Sequence, residues 1–293
     1  MPSDRELKLR IKTTRSLGQL TKAMKLVASA QLRKVETRSR VAKPYIKRLQ
    51  ETVCELAAQA GEASNIYMQS HQRGTPRVAV IVVASDNGLC GAYNTTMFKF
   101  IENDLAKKAI KPYRFVTIGK KAFRFFGKRG YNIDWHNESK WVADYTLSKE
   151  LFETTRVAFE KGEIDEVLIY YTESISMVKS KPRCLQLLPV KASALRNGEQ
   201  DSAPAKMVDF IYEPSAKEAL DIIIPNYLRA IVQQVLLESK TSELGARLTA
   251  MTNATDSADE LVAELTLQYY RIRQTNITTE IIEIASSAEA QKR

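Results

Sequence analysis

Two stretches of the chain hold side chains whose types and spacing could do chemistry. The first, Ser85-Asp-Asn-Gly-Leu-Cys-Gly91, follows an apolar run and precedes a helical stretch. A glycine-rich turn between strand and helix presents backbone N–H groups that can hold phosphate. The spacing here is wrong for that work. It is neither GxGxxG nor GxxxxGKS/T, and no lysine follows where a phosphate-binding lysine would stand. Gly88 and Gly91 read instead as the freedom that a tight turn and a close helix–strand approach require. Cys90 would need a base brought to it by the fold, since neither His71 nor His136 is near it in sequence. Asp86 reads as an Asx-type turn residue, with an acid–base role as the alternative.

The second stretch is Thr21-Lys22-Ala23-Met24-Lys25. Met24 falls on an apolar helical seam, with Lys22 and Lys25 projecting from its flanks. That pattern suits a core methionine between solvated lysines, or a basic collar that meets an acidic partner. Near the other end Arg247 adjoins Leu248, and Arg271, Arg273 and Gln274 flank Ile272. Polar side chains beside a coiled-coil seam serve specificity and partner contacts. A nucleophile–base pair, a phosphate loop and a histidine-rich metal site are all missing from the pattern. Two histidines cannot build such a site, and Cys54, Cys90 and Cys184 share no CxxC spacing. No metal and no cofactor is expected.

Two long helices must position the second stretch. Asn226 to Arg293 contains no proline and one glycine, Gly245; between Pro2 and Pro44 the only breaker is Gly18. At about 1.5 Å per residue, the C-terminal stretch could run as a helix about 100 Å long. Ser3 and Glu6 form a capping box at the start of the first helix, as do Ser215 and Glu218 at the start of the last. Pro44 and Pro225 are expected to kink these helices, with the first resuming from Tyr45 to Ala60. The first helix shows a brief seam at Leu17, Leu20, Met24 and Val27, polar beyond at Arg10, Thr13, Gln31 and Lys34. The last helix carries a regular one: Leu244, Leu248, Met251, Thr255, Ala258, Val262, Leu265, Tyr269, Ile272, Asn276. Steps of three and four are a coiled-coil heptad that wants one partner helix.

Between the helices, residues 74–213 hold eight of the eleven glycines and five of the nine prolines. RVAVIVVA at 77–84 reads as a buried parallel strand. Further strands are expected at 114–118, 131–135, 166–172 and, as an edge, 183–190. Helices fall at 94–108, 120–129 and 148–161, and a linker at 193–206. The alternation predicts an α/β fold: a Rossmann-like domain with a mostly parallel sheet, joined to a long antiparallel coiled coil of the two terminal helices. The expected organisation is 1–60 for the N-terminal coiled-coil helix, 74–211 for the α/β base domain and 212–293 for the C-terminal helix.

Charge is unevenly spread. Residues 1–50 hold fourteen Lys/Arg against Asp4, Glu6 and Glu36, a local net of +11 within a total of +10, which leaves −1 for the rest. Such a stripe can face nucleic acid, anionic lipid or an acidic protein surface. No run of 18 apolar residues exists, and the N-terminus lacks the pattern of a secretory signal.

LTKAMKLVASAQLRK (20–34), SDNGLCGAYN (85–94), YEPS (212–215), LLESKTSELGARLTAMTNATDSADEL (236–261) and RIRQTNITTEIIEI (271–284) together resemble the gamma subunits of F-type ATP synthases. Order and spacing match over almost the whole chain. The resemblance implies a non-catalytic rotor: an antiparallel coiled coil inside a ring of three alpha and three beta subunits, on a base beside the epsilon subunit and the membrane c-ring. Ion flow turns the c-ring and the shaft, and the shaft's asymmetry drives the beta subunits through different nucleotide affinities. Carried over by residue, Lys22, Met24 and Lys25 would approach the acidic lever loop of a beta subunit. Arg247 and Gln274 would meet a catch loop, and Tyr212 and Glu213 would form the foot on epsilon and the c-ring.

Several positions depart from the family pattern: Asn87 for a basic residue, Ala92 for glycine, Gly245 for alanine, and Thr275 and Asn276 for small apolar residues. The inserted cysteine-bearing segment of chloroplast members is absent. A peripheral place on the cytoplasmic side of a bacterial plasma membrane is expected, with the matrix side of a mitochondrial inner membrane as the alternative. Two rival readings stand beside this one: a basic coiled-coil protein that binds nucleic acid, and a nucleotide-using α/β enzyme. Against the first, residues 1–50 carry only one aromatic, Tyr45.

Overall fold

The computed structural model describes residues 4–61, 65–69, 74–137, 145–176, 179–191, 213 and 215–291. In chain order the elements are α1 (Asp4–Ala60), β1 (Val78–Val83), α2 (Tyr93–Lys107), β2 (Arg114–Ile118), α3 (Lys120–Gly127), β3 (Ile133–Asn137), α4 (Tyr145–Glu160), β4 (Glu166–Ser174), β5 (Ser180–Leu188) and α5 (Ala216–Ala290). The chain divides into two compact units. One is Met1–Ser29 with Arg247–Arg293, and the other is Ala30–Ala246.

The larger unit holds a five-stranded sheet in the order β3-β2-β1-β4-β5. β1 pairs in parallel with β2 and β4, β2 pairs in parallel with β3, and only the β4–β5 pair is antiparallel. The mostly parallel α/β sheet predicted from the alternation is therefore present. β1 lies at the centre, and all six of its residues are buried. Covered on both faces, a central parallel strand reads as an unbroken apolar run. Phe98, Phe115, Phe126 and Tyr131 pack ring to ring around α2, α3 and β2. Within this unit α1 and α5 also run antiparallel. Gln234 Nε2 donates to Ser39 Oγ at 3.2 Å, and Cys54, further along α1, lies near Tyr227, further back along α5.

In the smaller unit the two helices again pair antiparallel. Lys8 Nζ sits over the Tyr269 ring of the facing helix, 5.3 Å from its centre. Thr21 Oγ1 and Thr255 Oγ1 share a hydrogen bond of 2.8 Å. A Cβ on Gly18 would lie 3.4 Å from that of Ala258. In each pair the residue numbers sum to 276 or 277, so residue n of α1 stands beside about residue 276 − n of α5. The α5 seam from Leu244 to Ile272 is buried or half-buried as its heptad predicts, while Asn276 is exposed.

The α1 seam predicted at Leu17, Leu20, Met24 and Val27 is corrected. Leu17, Leu20 and Val27 are each more than half exposed, and Met24 is half-buried. The interior face runs Leu7, Ile11, Thr14, Gly18, Thr21, Lys25, Ala28, and continues at Leu32, Val35 and Ser39, in steps of four and three. The physical reason is size. Small residues let two helices approach closely, so Gly18 and Thr21 face inward and the larger leucines beside them are turned out.

Neither proline interrupts its helix. Pro44 lies inside α1 and Pro225 inside α5, so α1 does not break and resume at Tyr45. Pro44 is on the exposed face, where water can satisfy the carbonyl that loses its N–H partner, while Ile46 and Val53 stay buried. The Ser215 cap is present: the Glu218 N–H donates to Ser215 Oγ at 3.2 Å. Ser3 of the other capping box lies outside the described residues. By length and composition α5 is apolar enough to cross a bilayer, but half of its most apolar window is buried inside the protein. Leu220, Ile224, Leu228 and Val232 serve as core there.

Candidate partner interface

On the two-helix unit, Lys22 is exposed, and Met24, Lys25 and Arg247 are half-buried. By the pairing rule, Lys25 stands beside about residue 251, and Arg247 beside about residue 29. These four side chains therefore fall within about two turns of one level, roughly 10 Å along the axis. Exposed Leu17, Leu20, Leu26 and Val27 share that stretch of α1. The outcome is a surface with apolar and cationic groups side by side, held on a narrow seam.

Gln274 is exposed and stands elsewhere, beyond the level where α1 begins at Asp4. It lies 27 residues after Arg247 on the same helix, about 40 Å along the axis. The structure does not bring these two together. Arg273 is the basic side chain next to Gln274, and both are exposed. Sequence reasoning grouped Arg273 with Gln274 as flanks of Ile272 but carried only Gln274 over as a contact residue. The signal was adjacency itself. Glu213 is exposed just before the Ser215 cap, and its intended companion Tyr212 lies outside the described residues.

The turn after β1 is built from its own side chains. Asn94 Nδ2 donates to Ser85 Oγ at 2.7 Å, and the Ser85 N–H donates to Asn94 Oδ1 at 3.2 Å. Asp86 Oδ1 accepts from the N–H of Lys120 at 3.1 Å, capping the first residue of α3. This is a long-range helix cap rather than the local Asx-type turn expected from the sequence. Burial pushes the Asp86 carboxyl up; the Lys120 N–H bond opposes this and the charge of Glu243 adds to it. Cys90 is buried, with Asn94 Nδ2 3.3 Å from its sulfur. The glycine assignment needs a correction. Left-handed φ falls on Gly91 (56°) and on exposed Leu89 (60°), and Gly88 is not among the positive-φ residues. Gly119, which sequence reasoning missed, is a glycine with no space for a side chain. Its φ is 94°, and a Cβ there would lie 2.3 Å from the carbonyl oxygen of Ala84. It lets the end of β2 pass against the end of β1.

In a doubly wound sheet, ligands bind outside the carboxyl ends of the strands where the strand order reverses. Here that point lies between β1 and β4. It is filled by α5. Ser242 Oγ donates to the carbonyl of Thr172 near the end of β4 at 3.0 Å. The Tyr93 hydroxyl, on the first residue of α2, donates to the Ser239 carbonyl at 3.1 Å and lies 2.8 Å from its Oγ. Burial holds that phenol above its ordinary range. Glu243 is 2% exposed and pairs with Lys240 at 3.0 Å. The protein's own helix thus stands in the crevice where a nucleotide-using sheet would hold its ligand. Nothing in the sequence pattern flagged Ser239, Ser242 or Glu243, although a polar run inside a long apolar helix was the available signal.

Among families of known proteins, residues 3–291 match the family described as ATP synthase. The ATP synthase gamma chain of Desulfitobacterium hafniense is 38% identical over 294 residues, covering 99% of each chain. That of Heliobacterium modesticaldum is 36% identical over 297 residues, again covering 99% of each. Among solved structures, a chain in the OSCP/F1/c-ring portion of the Euglena gracilis mitochondrial ATP synthase superposes with a TM-score of 0.68. It is 18% identical, and the match covers 98% of this chain and 94% of that one. A chain of the Tetrahymena thermophila mitochondrial ATP synthase central stalk and c-ring gives a TM-score of 0.56 at 18% identity. That match covers 80% of this chain and 99% of that one.

Proposed function

The chain belongs to the ATP synthase gamma family, and from that premise we propose how its surfaces divide the work of a rotor. It is a non-catalytic central-stalk subunit of ATP synthase, which couples ion-driven rotation to the conformational changes that make ATP. The relatives lend no support to nucleic-acid binding.

In our reading, Lys22, Met24, Lys25 and Arg247 form one contact level facing the acidic lever loop of a beta subunit. Arg273 and Gln274 form a second, separate level, facing a catch loop. One chain serves three alpha and three beta subunits, and the foot at Tyr212 and Glu213 meets epsilon and the c-ring. The chain is peripheral, on the cytoplasmic side of a bacterial plasma membrane. The observation that carries this reading is the outward turn of Leu17, Leu20 and Val27 around a seam of Gly18, Thr21 and Ala28. A free-standing hairpin would bury its leucines. A shaft inside a ring presents them to the ring.

The contacts must break and re-form as the shaft turns, which favours individually weak ones. Exposed ion pairs are worth about 0–1 kcal/mol each. Mixing the chain with its alpha and beta subunits tests the reading. We expect a complex with one copy per three beta subunits and ATP turnover that depends on it. Recovery of the chain alone or as a homodimer would overturn it.

A further inference from the structure

The crevice between β1 and β4 holds a set of polar contacts that the contact levels above leave without a role. Ser239, Ser242 and Glu243 are each at most 4% exposed, on a stretch of α5 whose neighbours Val235, Leu236 and Leu237 are apolar core. An apolar crevice would have closed more cheaply, because burying polar groups costs free energy unless each is hydrogen-bonded. What the polar groups supply is direction. Apolar burial is non-directional and roughly proportional to area, so an apolar face can slide with little change in area. Hydrogen bonds weaken steeply once the donor angle falls below about 120°.

We infer that Tyr93, Ser239 and Ser242 form a clamp that fixes the rotational setting of α5 against the α/β sheet, so that torque passes between sheet and shaft helix without slip. This rests on the rotor reading above. The clamp engages two separate supports. Ser242 Oγ holds the carbonyl of Thr172 on β4. Tyr93 ties the start of α2 to the backbone of Ser239. Turning α5 about its axis misaligns both at once. The clamp and the contact residues Arg247 and Gln274 stand on one helix, Ala216–Ala290. The clamp residues are positioning residues: they touch no reacting atom.

The test uses the assembled synthase in vesicles and measures two rates together: ATP hydrolysis, and ions pumped per ATP hydrolysed. Tyr93→Phe and Ser242→Ala are made singly and combined, with Ser242→Thr as the conservative control. Each lost bond should raise the slipped population about fivefold. The combined variant should therefore keep hydrolysing ATP while its pumping per ATP falls by several fold. Ser242→Thr, which keeps the hydroxyl donor, should match the wild type. Pumping per ATP equal to wild type in the combined variant would overturn the clamp. If the combined variant does not assemble, Ser242→Ala alone decides, and an unchanged ratio there overturns it equally. Failure of the wild-type chain to assemble or to pump would sink the rotor reading instead, so the two failures are distinct.

Discussion

Gly18 sits on the seam between α1 and α5, and two substitutions there should act in opposite directions. A Cβ at Gly18 would meet Ala258 Cβ at 3.4 Å and Asp259 Oδ1 at 3.8 Å, which is ordinary contact. Gly18→Ala therefore gains the helix preference of alanine over glycine, about 1 kcal/mol. Burial of the added methyl contributes up to about 0.8 kcal/mol more. Gly18→Leu has the same backbone gain but adds three further carbons against a Cβ already in contact. Forcing extra methylenes into a packed seam costs about 1–3 kcal/mol, and parting the helices would also strain the Thr21–Thr255 bond. The net change should be about +1 to +2 kcal/mol for alanine and near zero to −2 for leucine, with roughly 2 °C of melting temperature per kcal/mol at this size. Thermal unfolding followed by helical circular dichroism is the assay. A leucine variant more stable than the alanine variant would refute the placement of Gly18 inside the seam.

Gly119→Ala should destabilise the sheet unit by about 2–4 kcal/mol, because the new Cβ meets the Ala84 carbonyl at 2.3 Å on a left-handed backbone; urea unfolding would report it. Arg247→Ala and Gln274→Ala should each slow ATP turnover of the assembled complex, and their effects should add to within about 0.5 kcal/mol, since such distant sites share no partner. A strongly non-additive double variant would mean that they meet one loop after all. Burial pushes the Asp104 carboxyl up, but hydrogen bonds from Lys108 and Tyr170 outweigh this and leave it below its ordinary value. A depressed carboxyl adds stability above its unfolded pKa of about 3.8 and loses it as pH falls through the lower folded value. Asp104→Asn should accordingly lose stability near neutrality and show a shallower decline below about pH 4 in acid unfolding.

Much was legible wherever one element's own pattern decides its surroundings. VAVIVV reads as a central strand because both faces must be apolar, and it is fully buried. The α5 seam from Leu244 to Ile272 was readable because its partner covers one face with a strict heptad, and the structure buries that face. The α1 seam was misread for an equally specific reason. Leu17, Leu20 and Val27 are bulkier than Gly18, Thr21 and Ala28 beside them, and size dominates any pattern count. Yet they point outward, because the inward positions were chosen for closeness rather than for area.

The candidate site divides in the same way. That Lys22, Lys25, Arg247 and Gln274 stand on long amphipathic helices follows from composition and period alone, since these depend on residues a few places apart. That Arg247 belongs with Met24 while Gln274 stands about 40 Å away depends on helix geometry and pairing register together. That Ser239, Ser242 and Glu243 are buried, and that Gly119 has no room for a side chain, is decided by elements distant in sequence: β4, the start of α2 and the end of β1. The chain by itself determines which segments are helix or strand, through interactions between near neighbours. Only the tertiary structure decides which polar groups those segments enclose, because the partner of a buried polar group is chosen by topology and not by the residues beside it.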